Sequence, residues 1–353
     1  MSGFFILKRM NQESANIIFE TISNANKIVI VAHKAPDGDS IGSSLALFHF
    51  LQELNIQANI CHPDKAPDFL EWMPGFSNIT THEESPKEVE EIFNTSDVLI
   101  CLDFNSPTRV GKMESLLRNF SGKKIMIDHH LDPDTKFFDA YISESSVCST
   151  AQLIYEFIES QDKTHNINLD CAACIYTGIM TDTGSFRFSS VNSKTHEIGA
   201  FLLRIGLDQS KIHEKVFDQT TEDQIKLTSY TLLEKLVIRK DLELAYISLT
   251  LDELEKFNAK KGDTEGLVNR ALGIKGVKMA VFLKEDVEIV KMSFRSKGSI
   301  PVNKLAQEHF EGGGHLNAAG GKVVGKMNLA LQKLVTILPN FVNENKAVFN
   351  EIS

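Results

Sequence analysis

VAHKAPDGDSIGSS (residues 31–44) gathers a histidine and two aspartates within seven positions, between the apolar run KIVIV and the stretch IGSSLALFHFLQEL. Lys27 to Val31 is a β-branched run of strand type, while Ile41, Leu45, Phe48, Leu51 and Leu54 recur every three or four residues, as on one buried face of a helix. The stretch is therefore a strand-to-helix turn. Gly38 could supply the turn conformation and Asp39 or Ser40 the helix cap, so local structure alone accounts for one aspartate. His33, Asp37 and Asp39 together ask for more. At the carboxyl end of a strand in an open α/β sheet, where ligands bind, three such side chains can converge on one point.

Composition limits what that point can hold. With 353 residues and 42% hydrophobic content, the chain has material for about two domains with cores of their own. The apolar patch in MSGFFILKRMNQES is too short for a secretory signal, and no later run approaches the ~20 apolar residues of a membrane span. A cytoplasmic protein with no membrane partner is expected. Five cysteines without framework spacing suit reduced thiols there, and Cys171 and Cys174, a C-x-x-C inside the apolar CAACIYTGIM, read as helix packing. The net charge of −10, with only weak basic clusters at 259–262 and 322–326, argues against holding long duplex nucleic acid. A phosphate-ester substrate would be small or short, held by metal and a few arginines.

Further strand ends carry acid or histidine. DVLICLDF (97–104) ends in Asp103, and KKIMIDHH (123–130) ends in Asp128, His129 and His130. TAQLIYEFIES reads as a helix, and NLDCAACIYTGIMTDTGSFRF brings Asp182 to the end of another, before a strand-like FRF. This alternation predicts an α/β fold: a parallel-sheet domain over 15–190, a helical connector over 191–237, and a smaller α/β domain over 238–345. The last contains the strand signals LELAYISLT, VKMAVFLKE and VEIVKMSFRS and the glycine-rich EGGGHLNAAGG (311–321). His49, His62, His82, His165, His196, His213 and His309 fit no ligand pattern and read as surface or helix-packing residues.

Four aspartates (Asp37, Asp39, Asp103, Asp182) and two histidines (His33, His129) at element ends facing one edge would repel each other unless cations neutralised them. Oxygen-rich sites with some imidazole suit Mn2+ or Mg2+ and not a thiolate zinc centre. Six ligands exceed what one ion needs. Two ions sharing a carboxylate would sit ~3.5–4 Å apart and could hold a bridging hydroxide for in-line attack on phosphorus.

HKAPDGDSIGS, LDFNSPTRVG, IDHH and GIMTDTGSFRF resemble, in order and spacing, the motifs of the DHH phosphoesterase superfamily, and EGGGHLNAAGG resembles the signature of its DHHA1 domain. In size and domain order the chain is most similar to the branch of bacterial oligoribonucleases (nano-RNases) and pAp phosphatases. The resemblance implies two divalent ions, Mn2+ first and Mg2+ as the alternative, with the active site in the cleft between the two domains. It makes His33 and Asp37 ligands of one ion, and Asp39, His129 and Asp182 ligands of the other. Asp103 would bridge them. His130 would contact the scissile phosphate and supply a proton or hydrogen bond, while Asp128 would orient a histidine, as metal sites commonly require.

In the second domain, Gly312, Gly313 and Gly314 would let backbone amides approach a phosphate, His315 would add a donor, and Arg295 would offer a bidentate fork. Alone, the triple glycine reads as a flexible turn. Arg109, in SPTRVG, is a further phosphate partner or a surface arginine. The expected activity is hydrolysis of short oligoribonucleotides, of 3'-phosphoadenosine 5'-phosphate (pAp), or of both. The enzymatic alternatives are a cyclic or linear dinucleotide phosphodiesterase and an exopolyphosphatase; the non-enzymatic one is a nucleotide sensor. The sequence does not determine the oligomeric state.

Overall fold

The computed structural model describes residues 11–260 and 262–352, so the apolar patch of the first ten residues and Lys261 of the first basic cluster lie outside the described residues. The chain divides into two compact units after Gln219.

The first unit is built on a six-stranded sheet of β1 (Ile28–Val31), β2 (Ala58–His62), β3 (Ile79–Thr81), β4 (Val98–Leu102), β5 (Lys123–Asp128) and β6 (Ala140–Ser143). The order is β3-β2-β1-β4-β5-β6 and every pair is parallel. IVIV and VLICL are buried throughout, as strands covered on both faces must be. The helices are α1 (Gln12–Ser23), α2 (Gly38–Glu53), α3 (Pro86–Thr95), α4 (Glu114–Asn119), α5 (Thr150–Ser160), α6 (Leu169–Asp182), α7 (Ser193–Arg204) and α8 (Gln209–Phe217). Strand alternation sends Ile28, Ile30, Ile100 and Ile127 into a core with α2, α5 and α6, and Val29, Val31, Leu99 and Cys101 into another with α3 and α4. Truncating one such residue, Ile100→Ala, should cost about 2–5 kcal/mol.

This topology positions the site. From β1 the chain runs to β2 and β3 on one side, then returns to β4 on the other, so the order reverses between β1 and β4. The crevice at their carboxyl ends is where open α/β sheets bind ligands. Helices α2 and α6 reach the same end because they run antiparallel in backbone contact: a Cβ on Gly42 would lie 2.7 Å from the Cys174 carbonyl oxygen, and one on Gly178 would lie 2.5 Å from the Ala151 Cβ and 2.9 Å from Asp39 Oδ1.

The stretch 191–237, expected as a connector, is divided. Helices α7 and α8 pack Ile198, Leu202 and Ile212 into the larger core of the first unit, and the second unit opens with α9 (Glu222–Tyr230). Amphipathic patterning shows that a helix buries a face, not which core receives it. FRF is not a strand either: the residues after Asp182 form turns.

In the second unit a mixed sheet comprises β7 (Leu236–Arg239), β8 (Leu244–Leu249), β9 (Met279–Glu285), β10 (Ile289–Ser296), β11 (Gly313–His315) and β12 (Ala318–Val324), in the order β11-β12-β10-β9-β8-β7. Its helices after α9 are α10 (Leu251–Lys256), α11 (Leu267–Leu272), α12 (Val302–His309), α13 (Met327–Glu344) and α14 (Lys346–Glu351). Val290, Met292 and Phe294 of β10 enter a core with α12 and α13, so Lys291, Ser293 and Arg295 belong to the opposite face. Among the described residues no helix is long and apolar enough to cross a membrane.

Candidate active site

The turn after β1 is organised by Asp37, not by Asp39 or Ser40. Asp37 Oδ1 accepts from the Asp39 and Ser40 amides at 3.1 and 3.0 Å, and Ser40 Oγ accepts from the Asp37 amide at 2.9 Å, a reciprocal cap. Gly38 is the first helical residue. One aspartate thus serves local structure and still presents its other oxygen, Oδ2, 3.9 Å from His33 Nε2.

Asp39 faces inward instead. Its carboxylate accepts from the Thr150 amide at 2.6 Å and the Ala151 amide at 2.9 Å, at the amino terminus of α5, where helix amides favour an anion. Each oxygen keeps a second lone pair. Asp103 follows β4 in a left-handed conformation, φ +63°, and accepts from Thr150 Oγ1 at 3.0 Å. That backbone costs about 1–2 kcal/mol and is best tolerated by Asn and Asp among residues with a side chain. Asp182 is the last residue of α6.

The imidazoles point at these carboxylates. His33 Nδ1 lies 2.8 Å from the Lys34 carbonyl and His129 Nδ1 lies 3.3 Å from that of Val147, which fixes the proton on Nδ1 and aims Nε2 at the acids. His33 Nε2 is 3.3 Å from Asp103 Oδ2. His129 Nε2 is 3.5 Å from Asp103 Oδ1, 3.6 Å from Asp182 Oδ2 and 3.9 Å from Asp39 Oδ2. The donor atoms of His33, Asp37 and Asp103 lie within 4.8 Å of one another, as do those of Asp39, Asp103 and His129, so Asp103 belongs to both groups.

Electrostatics says what this arrangement lacks. Burial pushes the Asp39 carboxyl up to about 6, with Asp37 adding to the push against the pull of His129 and the two amides. Burial, with the charges of Asp39 and Asp37, holds Asp103 well above the ordinary carboxylate value. Burial opposes a charge on His129, yet Asp182, Asp103 and Asp39 outweigh it and raise the imidazole to about 9. Two buried acids whose carboxyls are pushed up, beside a third, Asp37, held down by His33 and the amides of its cap, make a set short of positive charge. Carboxylates and Nε2 imidazoles without thiolates fit two hard divalent cations sharing Asp103.

His130 sits beside this cluster, its Nδ1 3.8 Å from Asp103 Oδ1. Its Nδ1 is 2.7 Å from Asp128 Oδ1, and its ring meets that of His129 edge-on with centroids 4.8 Å apart. Burial lowers its pKa despite the attraction of Asp128, and the Arg109 guanidinium is near enough to lower it further. Arg109 is exposed on the short helical turn Pro107–Met113, with its carbonyl accepting from the Lys34 amide at 2.8 Å.

In the second unit Arg295 pairs with Ala318 across β10 and β12, and Ala318 pairs with His315 across β12 and β11. Arg295 and His315 therefore start from one sheet face two strand spacings apart, roughly 10 Å, with Ala318 in register between them. The triple glycine enters a strand: Gly312 directly precedes β11, where a Cβ would collide with the Gly320 carbonyl oxygen. Gly313 and Gly314 lie in β11, and Gly314 has φ +142° with a Cβ position 2.5 Å from the Ala318 carbonyl oxygen, so hairpin packing alone requires it. Gly313 is under no such constraint: a Cβ there would meet nothing nearer than 3.7 Å.

Two contributors escaped the sequence reading. Thr150 and the α5 amides clamp Asp103 and Asp39; the S-T-A-Q run announces that helix start, but only the fold shows which acid occupies it. His62 is wholly buried at the end of β2, with Nε2 3.0 Å from Ser44 Oγ, and burial with the neighbouring His33 lowers its pKa to about 3. It packs against α2 from the end of a strand, in keeping with the helix-packing reading.

The five cysteines are free and buried, in keeping with their reading as reduced packing residues. Comparison with known proteins matches the DHH family N-terminal domain to residues 27–179 and the DHHA1 domain to residues 243–344. The chain is 28% identical to the bifunctional oligoribonuclease and PAP phosphatase NrnA of Bacillus subtilis over 311 residues, covering 87% of this chain and 92% of that protein. It is 29% identical to the cyclic-di-AMP phosphodiesterase GdpP of Bacillus subtilis, covering 89% of this chain but only 48% of that longer protein. A crystal structure of an exopolyphosphatase-related protein from Bacteroides fragilis is 40% identical, with a TM-score of 0.92 over 96% of this chain and 99% of that one. A similarity that runs through both folded units, on a sheet whose switch point carries the histidines and aspartates of those motifs, makes this chain a member of the DHH family with a DHHA1 domain as its second unit.

Proposed function

We propose that the protein is a divalent-metal-dependent hydrolase of phosphate esters, acting in the cytoplasm on short oligoribonucleotides and pAp, with Mn2+ as the preferred ion. The observation that carries this reading is the double membership of Asp103, which joins a His33 and Asp37 group to an Asp39 and His129 group. In this reading His33, Asp37 and Asp103 hold one ion, and Asp39, Asp103, His129 and Asp182 hold the other. Bound there, two divalent ions would neutralise the acids and supply Lewis acidity toward a phosphoryl oxygen and the attacking water.

The chain's own residues do the rest. Asp128 holds His130 by Nδ1, so contact with the scissile phosphate falls to Nε2. The negative charge of a bound phosphate group favours the protonated imidazole, which then donates to a phosphate oxygen or to the leaving oxygen as the P–O bond breaks. Arg109 adds positive charge beside it. Arg295, His315 and the unconstrained Gly313 serve as contacts to the remainder of the substrate, so the first unit carries the chemistry and the second the grip. The neighbouring NrnA similarity supports the substrate class, as does an acidic chain without a basic track for long polymers.

A second reading, a cyclic-dinucleotide phosphodiesterase or exopolyphosphatase, draws on the 29% identity to GdpP and the 40% identity to the exopolyphosphatase-related protein. One panel separates them: pAp, pApA, RNA of two to five nucleotides, a longer RNA, cyclic-di-AMP and polyphosphate, each with Mn2+ and with Mg2+. Fastest turnover of pAp or the shortest RNAs supports the first reading. A higher kcat/KM on cyclic-di-AMP or polyphosphate replaces it with the second.

A further inference from the structure

We infer that Phe188 is a stacking platform for a nucleobase of the substrate, an inference that rests on the nucleotide reading above. The argument begins at the end of α6. The Gly184 amide donates to the Thr181 carbonyl at 3.2 Å and the Ser185 amide to that of Met180 at 2.8 Å, the paired bonds of a Schellman closure with Gly184 left-handed at φ +56°. Such a closure needs one left-handed residue. Here Ser185 and Phe186 are left-handed as well, at φ +63° and +62°, and for a bulky aromatic residue that is a rare and costly backbone.

Buried Thr183 imposes the extra turn. Its Oγ1 accepts from the Phe186 amide at 2.9 Å, and its carbonyl accepts from the Arg187 and Phe188 amides at 3.0 and 3.1 Å. The result separates the two aromatics of FRF. Phe186 turns inward, its ring 5.6 Å from Tyr176 and stacked 5.8 Å from His196. Phe188 stays 42% exposed, its ring laid over Gly184 so closely that a Cβ there would sit 2.6 Å from its Cζ.

A lone exposed aromatic ring is ordinary on a protein surface, but two left-handed non-glycine residues holding one beside a candidate ion ligand point to function. The display begins six residues beyond Asp182, whose carboxylate is 3.6 Å from His129. What reaches that place in a nucleotide hydrolase is the base attached to the reacting phosphate. Every base has a π face, so an aromatic platform binds it without reading its identity. The platform is therefore a specificity-determining residue for nucleotides over other phosphate esters.

The test compares pAp with ribose 3',5'-bisphosphate, which has the same phosphates and no base. Wild-type protein should prefer pAp, and Phe188→Ala should lower the ratio of the two kcat/KM values about five- to a hundredfold, with Phe188→Trp restoring it. The same Phe188→Trp protein should lose indole emission when pAp is added and not when the abasic bisphosphate is, a readout independent of turnover. An unchanged ratio in Phe188→Ala, or equal quenching by both ligands, overturns the platform while leaving phosphoester hydrolysis standing. Failure of wild-type protein to turn over any nucleotide overturns both.

Discussion

Asp128 holds His130 through one oxygen: Oδ1 of the buried carboxylate is 2.7 Å from Nδ1, while Oδ2 is buried with no hydrogen-bond partner among the described residues. A carboxylate so placed serves one imidazole. His130→Ala should lower kcat about 10²–10⁴-fold with both ions still bound, and Asp128→Asn about 10–100-fold. The double variant should be no slower than His130→Ala, because the aspartate acts only through the ring. Additive losses, or loss of metal from either variant by elemental analysis, would refute the assignment.

Asp103 should show opposite effects on catalysis and on folding. Asp103→Ala should abolish hydrolysis; retention of more than about a tenth of wild-type turnover, ~1.4 kcal/mol, would sink the shared-ligand reading. The carboxyl is raised well above its ordinary value when folded, chiefly by burial. Its charged form therefore disfavours the metal-free fold, and stability is lost as pH rises past the unfolded value of about 3.9. Chelator-treated Asp103→Asn should melt above chelator-treated wild type at pH 7, with the gap closing in acid. With divalent metal added the order should reverse.

Metal loading should release protons. His129 is raised to about 9 and so is charged at pH 7, whereas a ligand imidazole must be neutral. Each loading event displaces that proton, and apparent affinity should climb with pH until about 9 and then level. Calorimetric titrations in buffers of differing ionisation enthalpy read the proton count directly. A count of zero at pH 7 would mean that His129 is not a ligand.

Arg295 and His315, in register across Ala318, should govern grip without touching the ions. Each alanine variant should keep its metal and lose about 1.5–3 kcal/mol in kcat/KM on pAp. Ala318→Phe, which fills the space between them, should impair the same parameter. A minimal ester, bis(p-nitrophenyl) phosphate, should respond far less to all three. Equal losses on both substrates would assign these residues to folding instead.

The sequence was most legible where chemistry coincides with strong periodicity. His33, Asp37, Asp103 and Asp128 follow or end buried β-branched strands, whose apolar runs mark themselves off from the polar turns. Legibility failed where tertiary contacts decide. FRF alternates as a strand would, yet the hydroxyl and carbonyl of Thr183 bend it into a left-handed turn. Asp39 looks like a cap for its own helix, but its carboxylate closes the start of α5, more than a hundred residues away in the chain. Nothing in the local pattern distinguishes these outcomes, because the deciding partner is distant in sequence.

The contact of α2 with α6 through Gly42 and Gly178 gives the site an unusual mutational signature. At Gly42 the neighbours are the Cys174 carbonyl and the Gly178 main chain, so no side chain exists at that point to be exchanged in compensation. A screen for activity would score Gly42→Ala as inactive and invite a catalytic label for a residue whose neighbours are main chain. Substitutions meant to shift substrate choice have little room at this point of the seam; the turns around it and the second unit offer side chains that can be traded one at a time.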